Sequence, residues 1–155
     1  MKKTLIVYYS HSGVAKKFAQ RIAEQSNGTL FEIKAIPAYP TDYNTVVKQA
    51  KEEIRKGYIP AIDKTPDISE YSTIIVGTPN WWSSIAPPVT AFLKANDFTG
   101  KTVLPFITHG GGGGGHIEKD IRALCGGAMV KPALVVYEGE ASDAQIREWL
   151  KPIEV

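Results

Sequence analysis

The chain has 155 residues, of which 43% are hydrophobic and 22% are charged, and this fits a single domain spanning residues 1–155 with a proper core. A net charge of +2 is too small to indicate binding to nucleic acid or to a membrane surface, so we expect neither partner. No apolar run approaches the roughly 20 residues that cross a bilayer. The single cysteine, Cys125, excludes an intrachain disulfide and favours a reducing, cytoplasmic location.

The first segment predicts a strand, a tight turn and a helix. Residues 5–9 are a continuous apolar run, typical of a strand buried on both faces. This run is followed by a polar turn and has no small-residue cleavage site, so we interpret it as the first strand and not as a signal peptide. The helix after the turn has its apolar stripe at Val14, Phe18 and Ile22.

The turn itself, Ser10-His11-Ser12-Gly13, has the composition of an anion site. The first N–H groups of a helix lack internal acceptors, and the helix dipole favours negative charge there. The two serines add hydroxyl donors, and Gly13 lets the backbone approach a ligand closely. Serine and glycine before a helix are also ordinary capping residues, so the turn alone leaves both interpretations open.

Four further strand–helix units follow. The predicted strands are residues 29–36, 72–78, 101–108 and 133–137, and the helices after them begin near residues 42, 87, 117 and 143. We expect the second helix to be capped by Thr41 or Asp42 and to end at Gly57. Its predicted inward stripe is Tyr43, Val47, Ala50 and Ile54. Residues 58–71 read as a polar connector.

This alternation predicts an α/β fold: a doubly wound parallel sheet of five strands with helices on both faces. Ligands in such sheets bind at the carboxyl ends of the strands, where the strand order reverses. Three loops leave those ends after the first, third and fourth strands, at residues 10–15, 78–84 and 108–115. We therefore expect these loops to surround one crevice.

The three loops differ in chemistry. The first offers the anion cradle, the second contains the adjacent tryptophans Trp81 and Trp82, and the third contains His109 followed by six glycines. A ligand with a phosphate and a large aromatic ring would satisfy all three. Other interpretations remain open: one tryptophan can simply cover the end of the sheet, the glycine run can be mobile without ligand, and His109 and His116 are more typical of hydrogen-bonding surface histidines than of catalysts.

The segments YYSHSGVAKKFA, GTPNWWSSIAPPV and THGGGGGG, together with YPTDYN before the second helix, resemble the flavodoxin family over essentially the whole chain. The resemblance, and not the residue pattern, implies the strand order 2-1-3-4-5 and an FMN cofactor at the switch point, both as in flavodoxin itself. It implies that the first loop surrounds the FMN phosphate, the second flanks the isoalloxazine ring and the third borders the ring's other edge. The residues are, loop by loop, Ser10, His11, Ser12, Gly13, Val14 and Ala15; Thr78, Pro79, Asn80, Trp81 and Trp82; and Thr108, His109, Gly110 and Gly111.

This sequence departs from the family's pattern at several points. Ala15 stands where the phosphate loop usually ends in threonine, and Ser83 follows Trp82 where a glycine is frequent. Glycine replaces the aromatic residue that many flavodoxins place after the fourth strand, which leaves one flavin face more open. The pI of about 8.6 also differs from that of the strongly acidic flavodoxins. This difference weakens the expectation that this protein docks on its partners as those flavodoxins do.

Three functions are compatible with these features. The first is an electron carrier that passes electrons between redox partner proteins, favoured by the small size without an inserted substrate domain. The second is an FMN-dependent NAD(P)H oxidoreductase acting on quinones or similar small acceptors, favoured by the open glycine loop. The third is a protein of this fold that binds another anion or none, and the clustering of the three loops argues against it. We assign no catalytic residue and no metal ligand.

Overall fold

The computed structural model describes residues 3–153, and a parallel sheet runs through their centre. The strands are β1 Thr4–Tyr8, β2 Thr29–Glu32, β3 Ala35–Ile36, β4 Ala61–Ile62, β5 Thr73–Trp81, β6 Ser84–Ile85, β7 Thr102–His109, β8 Met129–Val130 and β9 Leu134–Tyr137. The helices are α1 Val14–Ser26, α2 Tyr43–Lys56, α3 Pro87–Lys94, α4 Ile117–Leu124 and α5 Asp143–Leu150.

The order of the parallel strands is β2-β1-β5-β7, with the short strands β8 and β9 pairing with successive parts of β7. When β8 and β9 are counted together as the fifth strand, this is the predicted order 2-1-3-4-5. The order reverses between β1 and β5, so the loops after these two strands diverge and leave a crevice between them.

Both faces of the sheet are buried, which confirms the doubly wound architecture. Successive residues of β1 point to opposite faces: Ile6 packs in the core under α1 and α5, whereas Leu5 and Val7 pack in the core under α2, α3 and α4. No helix among residues 3–153 has the length and apolar character needed to span a membrane.

One contact at the centre of the sheet explains why position 77 requires a glycine. Gly77 in β5 lies beneath the fully buried ring of Phe106 in β7, and a Cβ atom at Gly77 would stand 2.0 Å from the Cζ atom of that ring. Phe106 also packs against Phe18 of α1, with 5.3 Å between ring centroids. Glycine at position 77 therefore makes room for the aromatic pair that joins α1 to the sheet.

The predicted strand at residues 29–36 is wrong in its extent. β2 ends at Glu32, and Ile33 N–H donates the last ladder bond to the Tyr8 carbonyl oxygen at 2.8 Å. β3 then pairs antiparallel with β4, which lies in the segment predicted to be a connector. β3 and β4 form a separate two-stranded sheet because the chain leaves the edge of the main sheet after Ile33.

The predicted inward stripe of α2 is only partly right, because the buried residues of the helix are Val46 and Ala50. Val46 and Ala50 are buried, Val47 and Ile54 are half-buried, and Tyr43 is 75% exposed. Part of the inner face of the helix borders a cavity and does not rest on the sheet. Its ends are as predicted: the Asp42 carboxylate accepts the Thr45 N–H at 2.9 Å, and Gly57 adopts a left-handed φ of 67°.

Candidate functional site

A cavity of about 600 Å³ lies at the carboxyl edge of the sheet, between the loops that follow β1, β5 and β7. Its volume is within the range of roughly 300–1,000 Å³ that is typical of small-molecule sites. All of the predicted site residues except Gly13, Thr78 and Gly111 line it. The topology therefore brings the three predicted loops to one site.

The turn after β1 forms one end of the cavity. Gly13 is the N-cap of α1, with a left-handed φ of 95°, and its N–H donates to the Ser10 hydroxyl oxygen at 3.1 Å. The first N–H groups of α1 have no acceptor within the helix, and its first turn has no acidic residue. This end of the cavity can therefore hold an anion with backbone dipoles.

His11 connects this turn to the proline-rich loop before α2. Its Nε2 atom lies 2.7 Å from the Pro40 carbonyl oxygen. Because a carbonyl only accepts, Nε2 carries the hydrogen in this contact. The His11 ring also meets the Trp81 ring at 6.0 Å between centroids, so the side chain supports the cavity wall.

Trp81 is half-buried and belongs to an aromatic cluster that covers the end of the sheet. The rings of Tyr9 and Tyr39 meet its ring edge-on, with centroids 5.5 and 5.0 Å away. The Tyr39 hydroxyl donates to the Glu53 carboxylate at 2.5 Å. Burial, followed by the effect of Glu53, raises the pKa of both tyrosines well above the usual range, so the cluster presents neutral phenols next to the cavity.

Trp82 is the more exposed of the two tryptophans, at 49%. Its Nε1–H donates to the Val47 carbonyl oxygen at 2.9 Å, and the Lys51 ammonium lies 5.1 Å from the ring centroid. Trp82 and Ser83, with φ values of 57° and 64°, are the two residues of the tight hairpin that joins β5 to β6. These contacts fix the Trp82 ring at the mouth of the cavity.

Asn80 links the tryptophan hairpin to the glycine run. Its Oδ1 atom accepts the Ser83 N–H at 2.8 Å, and its Nδ2 atom donates to the Gly113 carbonyl oxygen at 2.8 Å. Gly115 packs so closely on the hairpin that a Cβ there would lie 2.5 Å from the Ser83 carbonyl oxygen. The second half of the glycine run is therefore held in place, whereas Gly110 to Gly112 are exposed.

His109 ends β7 at the edge of the cavity. Its Nδ1 atom accepts the Gly111 N–H at 3.0 Å, and its ring meets the Tyr137 ring at 5.7 Å between centroids. Gly111 therefore contributes to the site through this backbone bond, although it does not line the cavity.

Thr78 has its side chain inside the protein and not in the cavity. It is fully buried, its hydroxyl accepts the Ala86 N–H at 3.0 Å, and the same hydroxyl donates to the Pro79 carbonyl oxygen at 2.8 Å. Both hydrogen-bonding functions of the hydroxyl are thus used to shape the loop after β5. Thr78 was predicted to lie beside the ligand; its side chain instead supports the loop that lines the cavity.

Several lining residues were absent from the sequence prediction. They are Tyr43, Val46, Val47 and Ala50 of α2, and Glu138 after β9. The position of Glu138 beside the cavity could have been predicted from the sequence, because this residue follows a strand whose carboxyl end lies at the same edge as the other loops. Tyr43, Val47 and Ala50 were on the predicted inward face of α2, but nothing in the sequence indicated that this face borders a cavity as well as the core.

The sequence matches the flavodoxin family model over residues 3–153. Among solved structures, a candidate flavoprotein from Bacteroides uniformis is 28% identical, with a TM-score of 0.85 and coverage of 97% of this chain and 98% of that one. A candidate flavoprotein from Bacteroides eggerthii is 25% identical, with a TM-score of 0.88 and coverage of 100% and 99%. A flavoprotein from Lactobacillus acidophilus in complex with FMN is 26% identical, with a TM-score of 0.75 and coverage of 96% and 99%.

Proposed function

Because this chain belongs to the flavodoxin family, we propose that it binds FMN and carries electrons between redox partner proteins. The observation that carries this proposal is the single cavity that joins the N-terminus of α1 to the tryptophan hairpin and the glycine run. The FMN complex of the Lactobacillus acidophilus relative supports the choice of cofactor. When bound, FMN supplies the redox chemistry, and the protein supplies binding, orientation and electrostatics.

The donor set at the first loop fits the FMN phosphate. The hydroxyl groups of Ser10 and Ser12 and the free N–H groups of the first turn of α1 would surround a dianion with hydrogen-bond donors. No arginine lines this cavity among residues 3–153. Backbone dipoles at the turn around Gly13 would therefore hold the phosphate.

The other end of the cavity fits a flat aromatic ring. Trp81 and Trp82 form an apolar wall that would exclude water from one side of the isoalloxazine, and Asn80 holds this wall against the glycine run. An apolar environment disfavours the negatively charged reduced flavin. The hairpin would therefore tune the potential at which the cofactor accepts electrons.

A second candidate function is NAD(P)H-dependent reduction of quinones or similar small acceptors. The specific observation that favours it is the exposed, side-chain-free backbone at Gly110 to Gly112. A nicotinamide or quinone ring could approach the cofactor across this backbone without displacing a side chain.

FMN titration followed by anaerobic reduction tests both candidates. FMN added to the protein should be quenched in fluorescence and bind with one-to-one stoichiometry; no binding would remove both candidates. A long-lived semiquinone during stepwise reduction supports the electron carrier. Rapid bleaching by NADH or NADPH, directly to the two-electron-reduced flavin, supports the reductase and contradicts the carrier.

A further inference from the structure

A serine, a histidine and an aspartate are connected in series outside the proposed FMN cavity. The Ser84 hydroxyl oxygen lies 3.2 Å from His116 Nε2, and His116 Nδ1 is hydrogen-bonded to the Asp120 carboxylate. Ser84 begins β6, His116 directly precedes α4, and Asp120 lies in the first turn of that helix. None of the three lines the cavity between the loops.

The partners fix the direction of the hydrogen bonds. An ionised carboxylate only accepts, so Nδ1 of His116 carries the ring hydrogen in its bond to Asp120. In the neutral ring, Nε2 is then an acceptor, and it lies closer to the Ser84 hydroxyl, at 3.2 Å, than the other acceptor of that hydroxyl, the Trp82 carbonyl oxygen at 3.5 Å. This is the arrangement in which a histidine takes the proton of a serine hydroxyl while a carboxylate orients the ring.

A second cavity adjoins two of these residues, Ser84 and Asp120, and gives a substrate a place to bind. It has a volume of about 310 Å³, includes Ser84 and Asp120 in its lining, and has an apolar part formed by residues such as Ile85, Pro87 and Leu124. The volume is at the lower end of the range for small-molecule sites. It suits a short acyl chain or a single aromatic ring.

The solvent exposure of His116 and Asp120 determines which class of substrate this site could act on. The side chains of His116 and Asp120 are 53% and 41% exposed, so water reaches them and weakens their electrostatic effect on a developing charge. A site of this kind suits esters with a good leaving group, whose barrier is low, and not amides.

We propose that Ser84 is a nucleophile toward activated carboxylic esters, with His116 as its base and Asp120 as the residue that positions His116. The Ser84 oxygen forms a bond to the acyl carbon while its proton passes to His116 Nε2. The bond from that carbon to the leaving oxygen breaks, and the proton of His116 goes to the leaving group or to solvent. Water, deprotonated in turn by His116, then bonds to the acyl carbon, the bond between this carbon and the Ser84 oxygen breaks, and His116 returns the proton to that oxygen, which releases the carboxylic acid and restores the serine.

The experiment is covalent labelling of the full-length protein with a fluorophosphonate, with the modified residue located by tandem mass spectrometry. In this reaction the Ser84 oxygen bonds to phosphorus, the phosphorus–fluorine bond breaks, and the serine proton leaves through His116. We expect the adduct at Ser84 and release of nitrophenolate from p-nitrophenyl acetate. Ser84→Ala should lose both, whereas Ser69→Ala, which changes an exposed hydroxyl that lines neither cavity, should retain both.

Two further variants distinguish a reactive triad from a purely structural bridge. His116→Gln keeps a polar side chain but has no base, and it should slow labelling by about a hundredfold or more; Asp120→Asn should slow it less, since the base remains. Circular dichroism would check that each variant is folded. An unlabelled Ser84 in the wild-type protein, or labelling at an equal rate in His116→Gln, would overturn the proposal and leave these contacts as a structural link between β6 and α4.

Discussion

Replacing Gly13 with alanine should weaken FMN binding far more than it destabilises the fold. Gly13 has a φ of 95°, and a Cβ atom there would have no atom within 4 Å other than those of its own residue and its chain neighbours. The substitution therefore creates no clash inside the protein. Its effects come from backbone strain and from a methyl group at the turn that is proposed to hold the phosphate.

The expected loss of stability is small. A left-handed conformation costs an L-residue about 1–2 kcal/mol, and the reduced freedom of the unfolded chain returns about 0.4–1 kcal/mol. The net loss is about 1 kcal/mol, which lowers Tm by roughly 2–4 °C in a domain of this size. If the turn relaxes to relieve the strain, the N–H groups of α1 move away from the phosphate. Losing one charge-assisted hydrogen bond costs about 1.5–3 kcal/mol, which weakens FMN binding by about tenfold or more.

Gly100 offers a matched control. It also has a positive φ, 80°, and a Cβ there would likewise meet nothing within 4 Å, but it precedes β7 and so lies at the opposite edge of the sheet. Gly100→Ala should lower Tm by a similar amount and leave FMN affinity unchanged, as measured by fluorescence titration of the apoprotein. If Gly13→Ala binds FMN as tightly as Gly100→Ala does, the phosphate is not held at this turn.

Three further predictions concern the fold and the loops around the site. Gly77→Ala should destabilise the protein by about 1–3 kcal/mol in urea unfolding, because the new methyl group overlaps the Phe106 ring; combining it with Phe106→Leu should recover part of the loss, and purely additive losses would contradict the clash. Asn80→Asp should cost about 1–3 kcal/mol and speed hydrogen exchange in the glycine run, because a carboxylate oxygen replaces the donor to the Gly113 carbonyl oxygen and repels it; exchange as slow as in the wild type would refute that link. Burial raises the pKa of the Cys125 thiol to about 11 from an ordinary value of 9.0. The contribution of the neutral thiol to the free energy of unfolding is therefore complete below pH 9 and is lost between about pH 9 and 11. Cys125→Ala should flatten the dependence of this free energy on pH in that window, and a dependence identical to that of the wild type would contradict the assignment.

The strand–helix order and the position of the site were predictable because they depend on local patterns. Continuous apolar runs predict strands buried on both faces, and in a parallel sheet the loops that follow them must emerge at one edge. This logic brought the Ser10 turn, the tryptophans and the glycine run together. Applied to the last strand as well, it would have found Glu138.

What the sequence could not supply depends on tertiary contacts. The burial of Val46, outside the predicted stripe of α2, accompanies the position of this helix beside an open site, which the apolar periodicity does not record. The inward position of Thr78 depends on an acceptor–donor pair formed with Ala86 and Pro79, and this pair exists only after the β5–β6 hairpin has folded.

The β5–β6 hairpin is shared by the proposed FMN site and the proposed nucleophilic site, so variants must be chosen to affect one without the other. His116 acts on the hairpin in two ways: its backbone N–H donates to the Ser83 carbonyl oxygen at 3.1 Å, and its ring binds Ser84. His116→Gln preserves the backbone bond, which anchors the hairpin beside Trp82, and removes only the ring. If this variant loses labelling at Ser84 while its FMN affinity stays that of the wild type, the ring serves the serine and the backbone serves the hairpin; a parallel loss of both would show instead that the ring is part of the scaffold of the FMN site.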